Sequence, residues 1–342
     1  MHFIQRWSPK TVGLVAAFIT VVIWTGFIVI ARASVKGTLT PFDIGLARII
    51  GASLVLAPLG AWLVWRDRAE ALIDISNHQD ALPSSSSFPS FPRRRESSLF
   101  GLSPLPLRVT ALCGVFGSFA YAALAYSGFT FAPAAHASVL MPGSLPLWTS
   151  LLAVPLLGLR ITAVRALGLV LIVAGDLLVG GASLLRAFDG GQVWKGDVLF
   201  MTASLCWAIY SVLTRRYALE PVRATVAITV FALMTYVPLY GLLLLTGVLH
   251  SQLLSAPLGE VLFQMGFQGL GSVVISGITF NLMVQHYGPV RSTMITALVP
   301  GLSALAAVFF LGEPLNWNLM VGLALVTAGI LFGVRKVNVA TK

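Results

Sequence analysis

The stretch Ala166–Leu178 reads ALGLVLIVAGDLL, and Met320–Phe332 reads MVGLALVTAGILF. At an offset of 154 residues, six of the thirteen aligned positions are identical. A second pair of similar stretches, VIWTGFIVIAR at Val22–Arg32 and LCWAIYSVLTR at Leu205–Arg215, has an offset of 183 residues. Because each pair has one copy in either half of the chain, the sequence predicts a tandem duplication.

Long apolar blocks decide the class of protein. Hydrophobic residues make up 57% of the 342 residues and charged residues only 10%, which leaves too little polar surface to cover a soluble globule. A helix of about 20 residues crosses a hydrocarbon layer about 30 Å thick. Strands of a membrane barrel would alternate polar and apolar residues, and these blocks do not. The sequence therefore predicts an all-α integral membrane protein. Ten transmembrane helices are expected near residues 11–31, 41–65, 107–131, 134–157, 161–182, 193–214, 222–247, 261–287, 290–311 and 316–334.

The duplication also predicts how the spans are grouped. Residues 11–182 and residues 193–335 each hold five of the expected helices. Because five is an odd number, the second unit must enter the membrane from the opposite side. The two units are then inverted repeats, which is the architecture of many secondary transporters.

The fall in offset from 183 to 154 places about 29 extra residues in the first unit. The connection from Arg66 to Pro106 is rich in Ser and Pro and contains the string PSFPRRRESS. Such a composition predicts a disordered cytoplasmic insertion. The string also resembles translated copies of short dispersed repeats in some bacterial genomes. The alternative is a basic segment that contacts anionic lipid.

A net charge of +10 can indicate a nucleic-acid-binding protein, but here the distribution of the basic residues is better explained by insertion into a membrane. With both termini inside, 17 of the 22 Lys and Arg residues lie on the cytoplasmic side. The outer loops hold four, Arg32, Lys36, Arg186 and Lys195, and Arg48 lies within a span. This asymmetry predicts cytoplasmic termini. The apolar run after MHFIQRWSPK is longer than the core of a cleavable signal and has no small-residue cleavage site, so the first span is expected to stay uncleaved.

Several motifs together resemble the paired EamA-type domains of the drug/metabolite transporter superfamily. They are IWTGFIVIAR followed by LTPFDIGLARIIGASL, then SLCWAIYSVLTRR, and LVPGLSALAAVFFLGEPLN followed by GLALVTAGILFGV. The resemblance implies ten helices in a 5+5 inverted repeat, location in the bacterial inner membrane, and movement of small metabolites, often outward. Such proteins often carry a Glu after both the fourth and the ninth span. Here Glu313 is present, whereas Leu159 stands at the corresponding place in the first unit, and we expect Glu313 to cap a helix or tether a loop.

Polar and aromatic residues inside the spans supply the candidate site, because such groups avoid lipid and tend to line a cavity. Aromatic rings would cover the apolar part of an amphipathic substrate and polar groups would bind its ends. For the tryptophans, packing or interface anchoring is the alternative, and for Arg48 it is snorkelling or pairing with Asp176. The candidate substrate-binding residues are Trp24, Arg48, Tyr121, Trp207, Tyr210, Asn281 and Gln285.

Two further residues are candidates for coupling or gating. Asp176 is the strongest candidate for proton coupling because few other carboxylates lie within the spans. His136 begins the fourth span, where a structural hydrogen-bond donor is the simpler interpretation. The glycines Gly168, Gly175, Gly322 and Gly329 are predicted to form a smooth strip for close helix packing.

Three classes of function compete. The duplication and the scattered polar residues favour a secondary transporter that exports small metabolites, such as amino acids, without a nucleotide-binding motif, cofactor or metal. A structural or lipid-scrambling membrane protein is the second class. An intramembrane enzyme is the least favoured, because VAGD at Val173–Asp176 lacks the glycine and the second aspartate of a protease dyad. The expected partners are a small-molecule substrate and the lipid bilayer but no nucleic acid, and a homodimer is left open.

Overall fold

A computed structural model describes residues 9–34, 36–80, 99–185, 191–296, 298–314 and 316–334. The described residues form helices and turns, without a strand. In chain order the main helices are α1 (Pro9–Ser34), α2 (Pro41–Asp80), α3 (Leu107–Phe131), α4 (Ala134–Leu157), α5 (Ala163–Leu185), α6 (Val193–Arg216), α7 (Pro221–Leu245), α8 (Leu258–Tyr287), α9 (Pro289–Leu311) and α10 (Trp317–Val334). The all-α prediction is confirmed.

Eight of these helices, all except α5 and α10, are long and apolar enough to cross a membrane by length and composition. Large apolar side chains on their outer faces are exposed, among them Phe18, Leu54, Phe309 and Phe310. Such exposure would be costly in water but matches helices that face lipid. The chain is a multi-pass membrane protein.

Helices α5 and α10 pack closely along the predicted glycine strip. A Cβ atom added at Gly175 would lie 2.6 Å from the carbonyl oxygen of Gly322, and one added at Gly329 would lie 2.4 Å from that of Gly168. Only glycine lets the two backbones approach this far. The prediction that these glycines serve close helix packing is confirmed.

Four helices are irregular, and their irregularities lie toward the middle of the bundle. α3 and α8 contain π-helical segments at Val115–Phe119 and Met265–Ile275. α4 is interrupted between Leu140 and Leu145, and α9 is interrupted after Ile295. Interrupted helices free backbone groups that must bind elsewhere, and they mark the binding sites of many transporters.

The described ends of the Arg66–Pro106 connection correct the prediction of disorder there. α2 continues as a helix to Asp80, because residues after Arg66 include good helix formers and an i,i+4 pair of Arg66 with Glu70 at 3.4 Å. On the other side, Leu99 and Leu102 pack against an apolar cluster, and the Ser103 and Thr110 hydroxyls are 2.7 Å apart. Residues 81–98 lie outside the described residues.

Candidate functional site

Aromatic residues from α1, α3 and α6 line a small cavity between these helices. We call it the aromatic cavity, and its defining rings are Trp24, Tyr121 and Trp207. The interrupted segment of α4 contributes Met141, and α9 contributes Val299. The volume is about 30 Å³, enough for a water molecule but far below the 300 Å³ or more of a typical ligand pocket. The cavity between the aromatic rings is therefore too small to hold a metabolite.

The two tryptophans of the duplicated stretches meet at this cavity. The rings of Trp24 and Trp207 have centroids 5.8 Å apart in an edge-to-face arrangement. Tyr121 lies 4.9 Å from Trp207, and Phe280 from α8 stacks on Trp24 at 5.1 Å. The indole Nε1 of Trp207 is buried and has no acceptor among the described residues. A ligand in an enlarged cavity would find flat apolar walls and the unpaired Nε1 donor of Trp207.

Arg48 lies behind one wall of the aromatic cavity. Its guanidinium sits 5.6 Å from the ring centroid of Phe27, a residue that lines the cavity. The side chain is 7% exposed and donates to the Ser272 hydroxyl at 3.2 Å, with longer contacts to Tyr126 and Gln268. All three partners are neutral, and no carboxylate among the described residues forms an ion pair with this guanidinium. A buried guanidinium whose hydrogen-bond partners are all neutral can still form an ion pair with an anionic ligand.

The pairing of Arg48 with Asp176 that the sequence suggested does not occur. The guanidinium is directed to α3 and α8, whereas Asp176 lines a different cavity between α4, α5 and α6. Both carboxylate oxygens of Asp176 are buried without a hydrogen-bond partner among the described residues.

Tyr210 and Asn281 form a polar contact behind the aromatic cavity. Tyr210 is fully buried with its ring 5.2 Å from that of Trp207. The Asn281 amide donates to the Tyr210 hydroxyl at 2.7 Å and to the Thr225 hydroxyl at 3.1 Å. The amide oxygen of Asn281 is buried and accepts no hydrogen bond among the described residues. Tyr210 and Asn281 thus support the Trp207 ring from behind, and the amide oxygen of Asn281 stays available as an acceptor.

Gln285 is not brought to the aromatic cavity. It lies one turn beyond Asn281, close to the end of α8, and its side chain is exposed. Its backbone carbonyl accepts a hydrogen bond from Arg215 at 3.2 Å. Helical spacing places the two amides on one face, but Asn281 is buried whereas Gln285 is exposed.

His136 is paired rather than free. Its Nδ1 lies 2.8 Å from a carboxylate oxygen of Asp197, which is 4% exposed. The contact links the first turn of α4 with the first turns of α6.

Sequence reasoning missed three acidic side chains that join elements. Asp197 pairs with His136, and Asp43 forms a capping box with Thr40 at the start of α2 while also accepting from the backbone N–H of Gln252 at 3.0 Å. Glu260 accepts from the backbone N–H of Thr38 at 3.1 Å. The T-P-F-D pattern at Thr40–Asp43 is a recognisable capping signal, whereas the partners of Asp197 and Glu260 lie far away in sequence. No group of three metal-ligating side chains occurs in the part of the chain that the structure describes.

Comparison with known proteins gives three findings. A model of the EamA-like transporter family matches residues 81–181 and 194–335, more than half of the chain. An uncharacterized transporter of Bacillus subtilis (strain 168), YyaM, is 26% identical over 223 residues, which cover 64% of this chain and 70% of the relative. A crystal structure of a protein with 19% sequence identity covers 94% of this chain and 96% of that chain, with a TM-score of 0.59. At that identity the likeness is one of fold.

Proposed function

This chain belongs to the EamA-like transporter family, and from that premise we propose that it is a secondary transporter that exports small amphipathic metabolites by alternating access. The substrate class is amino acids and related compounds with an anionic end and an apolar body. The membrane is the bacterial inner membrane, and both termini lie in the cytoplasm. No cofactor takes part.

The proposed architecture is ten spans in two inverted five-helix repeats, residues 11–182 and residues 193–335. Local geometry recurs at the sequence offset of 154 and supports it. Gly158 and Gly312 both have positive φ, 66° and 65°, and end α4 and α9. The next residues, Leu159 and Glu313, donate from their backbone N–H to Ala153 and Ala307, which have the same offset. The N–H groups of both glycines donate four residues back, to Val154 and Val308, so these are matching αL-type helix ends.

The packing pattern of the helices also supports two related units. In the two units α1 corresponds to α6, α3 to α8 and α4 to α9. α3 packs on α6, and its counterpart α8 packs on α1; in the same way α4 packs on α6 and α9 packs on α1. α2 packs on α8 as α7 packs on α3. In these three pairs, exchange of each helix for its counterpart gives the other pair. Inverted units of this kind can exchange conformations around a fixed site, which gives alternating access without ATP.

The chemistry of the substrate follows from the walls of the aromatic cavity. Trp24, Tyr121 and Trp207 would cover an apolar body, and the free Nε1 of Trp207 would donate to a polar atom. The proposal that the substrate has an anionic end rests on one observation. Arg48 is buried beside the cavity, and no carboxylate among the described residues pairs with it. Phe27 lines the cavity and lies against the guanidinium, so rotation of its ring would expose the guanidinium to the substrate.

The small size of the aromatic cavity supports a change of conformation during transport. A volume of about 30 Å³ does not hold an amino acid, so substrate entry requires the helices around the rings to separate. The interruptions in α4 and α9 border the cavity and are where this movement would be absorbed.

The test is substrate counterflow with the full chain in liposomes, using labelled amino acids of differing side chain as the screen. Trp24→Ala and Arg48→Gln are expected to lower the rate by about tenfold or more, the effect of losing one good contact of this kind. Arg216→Gln, a change at an exposed arginine, is the matched control and should transport like the parent. Parental rates in both cavity variants would overturn the site.

The same liposomes distinguish the alternative classes. Movement of a fluorescent lipid between leaflets without counterflow of any amino acid would favour a lipid scramblase over the proposed transporter. Release of a peptide fragment from a membrane substrate would favour an intramembrane enzyme. Light scattering of the purified protein decides whether it forms a homodimer.

A further inference from the structure

A second cavity, separate from the aromatic cavity, opens between α4, α5 and α6. We call it the lateral cavity, and its volume is about 370 Å³, within the range of small-molecule sites. Its walls are mainly apolar and include two acidic residues, Asp176 and Asp197. The residues that line it include Trp148, Val173, Leu177 and Val198.

The carboxylate of Asp176 is the unusual feature of the lateral cavity. The residue is 6% exposed, and neither carboxylate oxygen has a hydrogen-bond partner among the described residues. An ionised carboxylate in such surroundings is strongly unfavourable unless a cation or hydrogen-bond donors reach it. The other acidic residue of the cavity, Asp197, is already paired with His136. Asp176 is thus the acceptor that remains for a ligand.

The mouth of the lateral cavity faces the side of the bundle. Leu177 and Val198 line the cavity and are 61% and 47% exposed, and Val173 is 39% exposed. Exposed apolar side chains on a membrane helix face the hydrocarbon, so a ligand reaches this cavity from the lipid phase. A fully hydrophilic cation would not follow that route, whereas an amphipathic one would.

Trp148 adds a second element of recognition. Its indole lines the cavity, and its Nε1 is buried without an acceptor among the described residues. The face of an indole attracts a cation, most strongly where water is excluded. Aromatic surface and a carboxylate in one apolar cavity together are the usual means of holding an ammonium group with an apolar tail.

From this geometry we propose that the lateral cavity binds amphipathic monoammonium compounds, with the ammonium on the Asp176 carboxylate and the apolar body between α4, α5 and α6. The site is distinct from the proposed path of the transported metabolite, which lies among the rings of Trp24 and Trp207. It differs in charge preference as well, because Arg48 beside the aromatic cavity favours an anionic group.

The test measures binding of phenylbutylamine to the full chain in nanodiscs by equilibrium dialysis, beside its neutral analogue phenylbutanol and its anionic analogue phenylbutyrate. The amine is expected to bind at least about tenfold more tightly than either analogue. Asp176→Asn preserves shape and should weaken the amine about tenfold while leaving phenylbutanol unchanged. Val173→Phe fills the apolar part and should weaken both compounds.

Trp24→Ala separates this site from the aromatic cavity, and amine binding should remain as in the parent. Equal binding of amine and alcohol, or an Asp176→Asn variant that binds the amine like the parent, would overturn the site. So would loss of amine binding in Trp24→Ala. Failure of transport in the counterflow assay leaves these binding results intact, so the two proposals fail separately. Gel filtration of each variant establishes that it is folded.

Discussion

Glu313 joins three helices at one end of the bundle. Its carboxylate accepts the backbone N–H groups of Ala134 at 3.2 Å and Ala135 at 3.0 Å, which lie in the first turn of α4. It also accepts from Arg32 of α1 at 3.2 Å, and Arg32 donates further to the Phe129 carbonyl at 2.7 Å. The expected capping role is confirmed, with the cap supplied from a distant part of the chain rather than from the preceding residue.

The first prediction concerns this contact. Glu313→Ala leaves two N–H groups of α4 and the guanidinium of Arg32 without their acceptor, and should destabilise the folded protein by roughly 1 kcal/mol or more. Glu313→Gln keeps one acceptor oxygen and should lie between this variant and the parent. Leu159→Ala, at the corresponding position of the first half, is the control. The thermal midpoint in detergent measures all three, and an Ala variant as stable as the parent contradicts the assignment.

At the scale of elements, the connection between α2 and α3 holds more structure than its composition suggests. Asp67 forms two hydrogen bonds with Arg223 of α7, at 2.6 and 2.7 Å, although it follows the apolar part of α2. Leu99 and Leu102 pack against the apolar cluster of α2 and α7. The two ends of the connection therefore belong to the folded unit.

A pair of deletions tests this division. Removal of residues 82–97, the Ser- and Pro-rich part, should leave expression and membrane insertion close to those of the parent. The reason is that the second half of the chain has no segment that corresponds to it. Removal of residues 99–105 should lower the yield of folded protein, because it exposes apolar surface and the polar contact at Ser103. Equal yields from both deletions would show that the 99–105 contacts contribute nothing.

At the scale of the whole molecule, orientation in the membrane rests on charge. Arg32 and Lys195 are at one end of the bundle, and Arg66, Arg215 and Arg223 are at the other. The larger positive count at the second end predicts that it faces the cytoplasm. The Glu313 contact then lies on the outer side, where it holds α1, α4 and the end of α9 together.

Reporter fusions check the orientation. Alkaline phosphatase fused after Ser90 or after Lys342 should be inactive, because it folds only in the periplasm, whereas a fusion after Lys36 should be active. Green fluorescent protein at the same positions gives the complementary readout. Active phosphatase at Ser90 together with inactive phosphatase at Lys36 would reverse the orientation and move the Glu313 contact to the cytoplasmic side.

The sequence alone determined the helices, since a block of apolar residues long enough to cross a bilayer is a local property. It also determined the glycine strip between α5 and α10, because a repeated spacing of small residues is visible in the chain. It selected Trp24, Tyr121 and Trp207, whose rings do meet. Helical spacing, however, says only which residues share a face, and it grouped the exposed Gln285 with the buried Asn281.

The tertiary structure decided which polar groups have partners. Arg48 contacts residues from α3 and α8, and Glu313 binds the start of α4, all through separations of at least 78 residues. Asp176 faces an apolar cavity with both oxygens unused. Whether a buried charge has a partner depends on the residues that packing brings near it. These residues are distant in the chain, so the linear sequence does not show which of them will be its neighbours.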